Sequence, residues 1–217
     1  MHNALTRVQN TFGLFTTTAF IVGILVALSD FIAPRTPSGV IKPNELKVVM
    51  GRPHYYSPKK EEHASIRFSL DADLSSLFNW NTKQVFVYVT AEWPESDGSD
   101  VMNSVVIWDS IITAPSSDHL SNVGPATMKK LKRSAEGKSI DPSRGLLKLK
   151  NQRPKYQVTH PSGKIANLEN VKLRLHYSVQ PWVGILTWNQ DSDLFKWSAL
   201  KGAVSKAFSL PSVKAKN

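Results

Sequence analysis

Val171-Lys172-Leu173-Arg174-Leu175-His176-Tyr177-Ser178-Val179 is the stretch whose reading settles the fold class. Apolar Val171, Leu173, Leu175, Tyr177 and Val179 alternate with polar Lys172, Arg174, His176 and Ser178, the period-two pattern of a strand with one buried face. The same period recurs upstream. Ala64, Ile66, Phe68 and Leu70 alternate with Ser65, Arg67, Ser69 and Asp71. Lys83–Trp93 (KQVFVYVTAEW) is β-branched and aromatic on both faces, which predicts a central strand covered on each side. Val101–Ile112 (VMNSVVIWDSII) reads as a further strand, with shorter ones at Leu46–Met50, Gly184–Trp188 and Ala203–Leu210. Turn-formers separate them at Pro94–Asp100, Pro115–Gly124 and Pro161-Ser162-Gly163. No long amphipathic helix intervenes, which argues against βαβ units, and an antiparallel β-sandwich is expected. Asp73–Phe78 reads as a short helical turn begun by an aspartate cap.

The 217 residues have room for this one sandwich and little more. A chain that is 41% hydrophobic and 20% charged is globular rather than disordered. It contains no cysteine, which excludes a disulfide scaffold, a thiolate zinc site and a cysteine nucleophile.

Ahead of the sandwich, Val8–Ser29 carries no charge over 22 residues, and Phe12–Leu28 reads FGLFTTTAFIVGILVAL. About 20 apolar residues at roughly 1.5 Å each cover the hydrocarbon layer of a bilayer. Thr16, Thr17 and Thr18 are compatible with such a span, because a helical threonine can bond the carbonyl one turn behind it. The alternative is a cleaved signal peptide, for which Ala27-Leu28-Ser29 supplies a small-x-small site. The run exceeds the roughly 7–15 apolar residues usual in such a peptide, which favours a retained anchor. Flanking charge decides little: Arg7 precedes the run, and Arg35, Lys42 and Lys47 follow it. Ala19, Gly23 and Ala27 recur at spacing four, a face that would let a second membrane helix approach closely.

The net charge of +10 is concentrated. Residues 126–155 hold ten Lys or Arg against Glu136 and Asp141, so +8 of the total falls in thirty residues. The segment lacks aromatics up to Tyr156, so no platform for stacking bases accompanies the charge and nucleic acid is not an expected partner. It reads as a solvated insertion loop, with anionic lipid or an acidic partner as the functional alternative.

No catalytic motif is evident. The chain lacks a G-x-S-x-G elbow, an H-E-x-x-H pair, a phosphate loop and a dinucleotide fingerprint. No two of the six histidines fall three to five residues apart, and His176 reads as a surface residue on the polar face of its strand. Neither a metal site nor a cofactor is expected.

Three blocks carry a resemblance. The first runs from Leu70-Asp71-Ala72-Asp73-Leu74 to Phe78-Asn79-Trp80-Asn81-Thr82-Lys83-Gln84 and on through Glu92. The second is Asn103–Ile112, containing Val106-Ile107-Trp108-Asp109. The third is Asn170–Val179, continuing through Pro181 to Gly184-Ile185-Leu186. Together with the N-terminal apolar segment, they resemble subunit 3 of the eukaryotic signal peptidase complex over a little more than a third of the chain. The F-N-W-N-x-K-Q run beside V-x-W-D is the specific part. Two features depart from the family pattern. Asn170 is followed by Val171-Lys172, so no N-x-[ST] glycosylation sequon exists there or elsewhere, and Ala114–Lys164 is longer and more basic, which suggests a fungal member.

The resemblance implies a mainly β protein of the endoplasmic reticulum membrane. Residues 1–11 would be a cytosolic tail, 12–32 the transmembrane anchor and 33–217 a luminal β-sandwich, with 114–164 its loop-rich basic insertion. It implies an accessory subunit without catalytic residues of its own, supporting the separate subunit that cleaves signal peptides. The expected partners are that catalytic subunit, the other subunits of the complex, the lipid bilayer and the translocon. Asn79, Trp80, Asn81, Lys83, Gln84, Trp108 and Asp109 in the matching blocks are the candidate partner contacts, and Ala19, Gly23 and Ala27 the candidate helix-packing face. Trp80 and Trp108 also suit core packing, the favoured reading for both, and the asparagines suit a turn held by their own side chains. The rival reading is a secreted or cell-surface binding module released from its signal peptide.

Overall fold

The computed structural model describes residues 3–52, 55–95, 101–114, 142–189 and 193–213. The uncharged run lies in a single helix, α1 (Ala4–Ile32), capped by the Asn3 side chain, which accepts from the Leu5 amide. The helix starts eight residues before the apolar run and is mostly exposed, with Gly23, Val26 and Ala27 half-buried and Asp30, in its last turn, buried. Thr16, Thr17 and Thr18 each donate their hydroxyl to the carbonyl four residues back, as expected of threonines in an apolar helix.

The body consists of two antiparallel sheets packed face to face. One has the order β1-β2-β5, built from β1 (Ser38–Gly51), β2 (Glu61–Asp73) and β5 (Leu146–Gln152). The other has the order β4-β3-β6-β7, from β3 (Thr82–Pro94), β4 (Met102–Thr113), β6 (Lys172–Pro181) and β7 (Thr187–Trp188). The inward residues of the period-two patterns meet between them. Ile66, Phe68 and Leu70 of β2 lie opposite Val85, Val87 and Val89 of β3 and Leu173, Leu175 and Tyr177 of β6 in one continuous core. Phe68 and Trp108 touch edge to face at a centroid distance of 6.0 Å.

Several expectations are corrected. β3 is central, but its Val85, Val87, Val89, Ala91 and Trp93 face the core, while Phe86 and Tyr88 stack on the opposite, half-covered face. In β4, Val89 pairs with Trp108 and Thr90 with Val106, so a bulge at Ile107 turns Ile107 and Trp108 both inward. The expected basic insertion is not loop throughout. β5 pairs with β2, and Leu147 and Leu149 pack on the core while Lys148 and Lys150 stay exposed. Residues 96–100 and 115–141, with most of two expected turns and the first five cations of the basic segment, lie outside the described residues. The Ala203–Leu210 segment follows the free edge of β6 through isolated bridges at Val204 and Phe208 rather than as a strand. Of Gly184–Trp188, only Thr187–Trp188 is strand. The expected short helical turn is a 3-10 turn at Ser75–Leu77 whose cap position is Leu74, and Asp73, one residue earlier, accepts from the amide and hydroxyl of Ser75.

Candidate interaction surface at the helix–sandwich junction

Five of the seven candidate partner contacts gather where α1 meets the sandwich. The joint itself was not legible in the sequence. Asp30, in the last helical turn, forms an ion pair with Arg35 at 2.6 Å, and both side chains are buried. A carboxylate at a helix C-terminus faces the negative end of the helix dipole, so this one is retained only with strong partners. Arg35 supplies the charge, and the Asn79 amide donates to the other carboxylate oxygen. Arg35 also donates to Thr187 Oγ1 at 2.9 Å and lies 4.1 Å over the Trp197 ring. Trp197 in turn stacks on Phe31 of the helix at 4.8 Å and donates its indole N–H to the Ala33 carbonyl. The helix, the segment leading into β1, the β2–β3 turn, β7 and the C-terminal segment are thus clamped around one buried pair.

Asn79, Trp80 and Asn81 form the turn before β3. Asn79 Oδ1 accepts from the Asn81 amide and the Thr82 hydroxyl, an Asx-type turn. Asn81 is buried, and its side chain binds both backbone groups of Val183: Nδ2 donates to the carbonyl at 2.7 Å, and Oδ1 accepts from the amide at 3.1 Å. With both flanking side chains turned inward, Trp80 is left 60% exposed, so its favoured core reading is overturned. Lys83 lies over the Trp182 ring at 5.3 Å, and Gln84 donates to Gln180 on the neighbouring strand. Trp108 and Asp109 are elsewhere, opposite Val89 and Tyr88 further along the ladder. Trp108 is core, as favoured, being 6% exposed, and Asp109 pairs with Lys155 at 3.2 Å.

Ala19, Gly23 and Ala27 do line one face of α1. They form the floor of an open apolar groove of about 380 Å³ that Val183 and Gly184 close at the sandwich end. Gly184, at φ +131°, approaches so near that a Cβ on it would lie 3.5 Å from Ala27 Cβ.

His176 is less exposed than its place on a polar strand face predicts. Its Nε2 lies 2.9 Å from the Thr90 hydroxyl and 3.5 Å from Glu92, which also binds Arg174. A nucleophile relay needs its carboxylate on the imidazole nitrogen opposite the hydroxyl. Here both approach Nε2, and the Asn189 amide occupies Nδ1, so the cluster does not have the geometry of a relay. It ties β3, β6 and the end of β7 together. Burial raises the pKa of Tyr88, which stacks on the His176 ring. Among the described residues, no three His, Asp or Glu side chains converge as a metal site.

The chain resembles known proteins along most of its length. The profile of a family described as "Signal peptidase subunit" matches residues 1–130 and 140–199. Signal peptidase complex subunit 3 of Yarrowia lipolytica is 30% identical over 194 residues, covering 85% of this chain and 89% of that protein. The protein of the same name from Saccharomyces cerevisiae is 35% identical over 133 residues, covering 61% of this chain and 56% of its own length. The one from Drosophila melanogaster is 26% identical and covers 92% of this chain and 96% of its own.

Proposed function

Since the chain belongs to the signal peptidase subunit family, we propose that it is a non-catalytic accessory subunit holding the catalytic subunit at a defined height over the endoplasmic reticulum membrane. Its apolar helix crosses that membrane with the N-terminus in the cytosol, and the sandwich lies in the lumen beside the protease. The observation that carries this reading is the buried Asp30–Arg35 pair and its clamp of Asn79, Thr187 and Trp197. A flexible tether would leave the sandwich free to tumble over the bilayer, whereas a buried, multiply bonded joint fixes it to the helix axis.

On this reading the partner contacts are Trp80 and Lys83, whose side chains are accessible beside the joint, with Asn79, Asn81 and Gln84 shaping the surface. Trp108 and Asp109 support the sheet from which it projects. The groove over Ala19, Gly23 and Ala27 accepts a membrane helix of another subunit. The translocon is a further neighbour through the assembled complex. The lengthened basic segment and the similarity to yeast proteins support a fungal source. The released-module alternative is disfavoured by the family relationship.

The test is isolation of the tagged full-length chain in mild detergent, with mass spectrometry of what accompanies it. A peptidase subunit in stoichiometric yield is the expected result. Its absence, or unchanged recovery from a chain lacking residues 33–217, overturns the proposal.

A further inference from the structure

The apolar surface beside α1 extends beyond the helix. The β6–β7 loop exposes Val183, Leu186 and a 75% exposed Ile185, and on the segment after β7 Phe195 is 90% exposed. Isolated surface leucines are ordinary, but apolar loop tips collected around one helix end mark a site of contact. Their depth along the helix identifies what they contact. Phe195 shares a cleft with Phe31 and Ile32 at the end of the helix, whereas Gly184 packs against Ala27. Five residues of helix separate Ala27 from Ile32, so the β6–β7 loop reaches back about 7.5 Å along the span. If the run ending at Ile32 crosses the bilayer, this loop lies below the level at which the helix emerges.

Where such a loop nears the hydrocarbon, its backbone polar groups are best satisfied by protein, because the lipid chains offer no hydrogen bonds. The Asn81 side chain does this for Val183, taking both its amide and its carbonyl, and the Asn81 backbone carbonyl accepts from the Trp182 amide. Lys83, stacked on Trp182, brings a cation to the loop's rim, the pairing of amphipathic ring and long cation found at the headgroup level.

From this we infer that the sandwich does not merely stand on its anchor: the β6–β7 loop and Phe195 dip into the interfacial layer of the adjoining leaflet, with lipid as their occupant. The inference rests on the membrane-spanning reading of α1. It makes Asn81 the residue that satisfies the base of the loop, at Trp182 and Val183, where the chain approaches lipid.

The chain has no native cysteine, which permits site-specific labelling. Single cysteines at Ile185 and Phe195, both strongly exposed, would carry an environment-sensitive fluorophore in the full-length chain reconstituted in phosphatidylcholine nanodiscs. The same sites would then be followed in the complex with its co-purified partners. The quencher is a lipid spin-labelled near its headgroup or near its chain end. Ile24→Cys serves as the mid-helix reference and Val49→Cys, an exposed site at the far end of β1, as the reference away from the joint. Ile185→Cys and Phe195→Cys are expected to lose on the order of half their emission to the headgroup-proximal quencher, and Val49→Cys almost none. Ile24→Cys should respond most to the chain-end quencher. If Ile185→Cys and Phe195→Cys behave as Val49→Cys while Ile24→Cys is quenched, the inference is overturned and the spanning helix stands. If Ile24→Cys, which lines the helix groove, is not quenched in the isolated chain, the spanning reading fails and the inference with it. Quenching in the isolated chain that disappears in the complex assigns the patch to a protein partner and also overturns it.

Discussion

Asp30 and Arg35 meet at 2.6 Å with both side chains buried, joining the last turn of the helix to the chain entering the sandwich. The pair is five residues apart in sequence but is enclosed by groups from distant ones: Asn79, Thr187 and Trp197. Removing one member strands the other's charge, which for a buried pair costs about 3–5 kcal/mol. Arg35→Met should therefore lower the unfolding free energy of the detergent-solubilised chain by about that amount. Adding Asp30→Asn should restore much of it, because no orphan charge then remains. If the two losses simply add in denaturant titrations, the pair is not the joint described.

Trp80 and Trp108 separate surface from core. Trp80→Ala should leave stability within about 0.5 kcal/mol, yet weaken binding of the catalytic subunit by about 2 kcal/mol, roughly thirtyfold, if Trp80 is a hot spot. Trp108→Ala should cost the fold on the order of 3–5 kcal/mol. Thermal melting alongside quantitative co-purification distinguishes the two. Unchanged binding with Trp80→Ala would remove it from the interface.

Lys172→Thr creates a sequon at Asn170 on an exposed stretch at the start of β6. With the sandwich in the lumen, the variant should gain one endoglycosidase-sensitive glycan in microsomes. An assembled but unglycosylated variant argues for the opposite orientation.

A Cβ added to Gly23 would meet no atom within 4 Å, so Gly23→Leu is accommodated within this chain. Its expected effect is confined to assembly: membrane insertion is unaffected, while the partner yield falls because the groove is filled. Full assembly would show that no helix docks there.

Glu62 accepts from the amides of Ala166 and Ile165, and these bonds hold its carboxyl below the ordinary glutamate range. A depressed carboxylate contributes stability that is complete above the unfolded value of about 4.3 and is lost as pH falls through the lower folded value. Stability should thus decline below about pH 4.3, and Glu62→Gln should flatten that decline while costing about 1 kcal/mol at neutral pH. An identical acid limb in the variant would exclude Glu62 from it.

The main strands and the apolar helix were legible because each follows from a local period: two for a strand with one wet face, an uncharged run for a span. That same local logic missed β5, although Leu147 and Leu149 alternate with lysines, because the density of charge masked the period. It also could not foresee the bulge at Ile107, which breaks the alternation of β4 to place Trp108 in the core. The local periods and the three matching blocks were enough for an apolar helix, a sandwich and the family. Long-range contacts alone reveal that Asp30 is satisfied by Arg35 and Asn79, that Asn81 clasps Val183 across 102 positions, and that Trp80 is left outside. Periodicity records which face of an element is buried, whereas the partner of a buried polar group is set by which distant segment the fold brings within hydrogen-bonding reach.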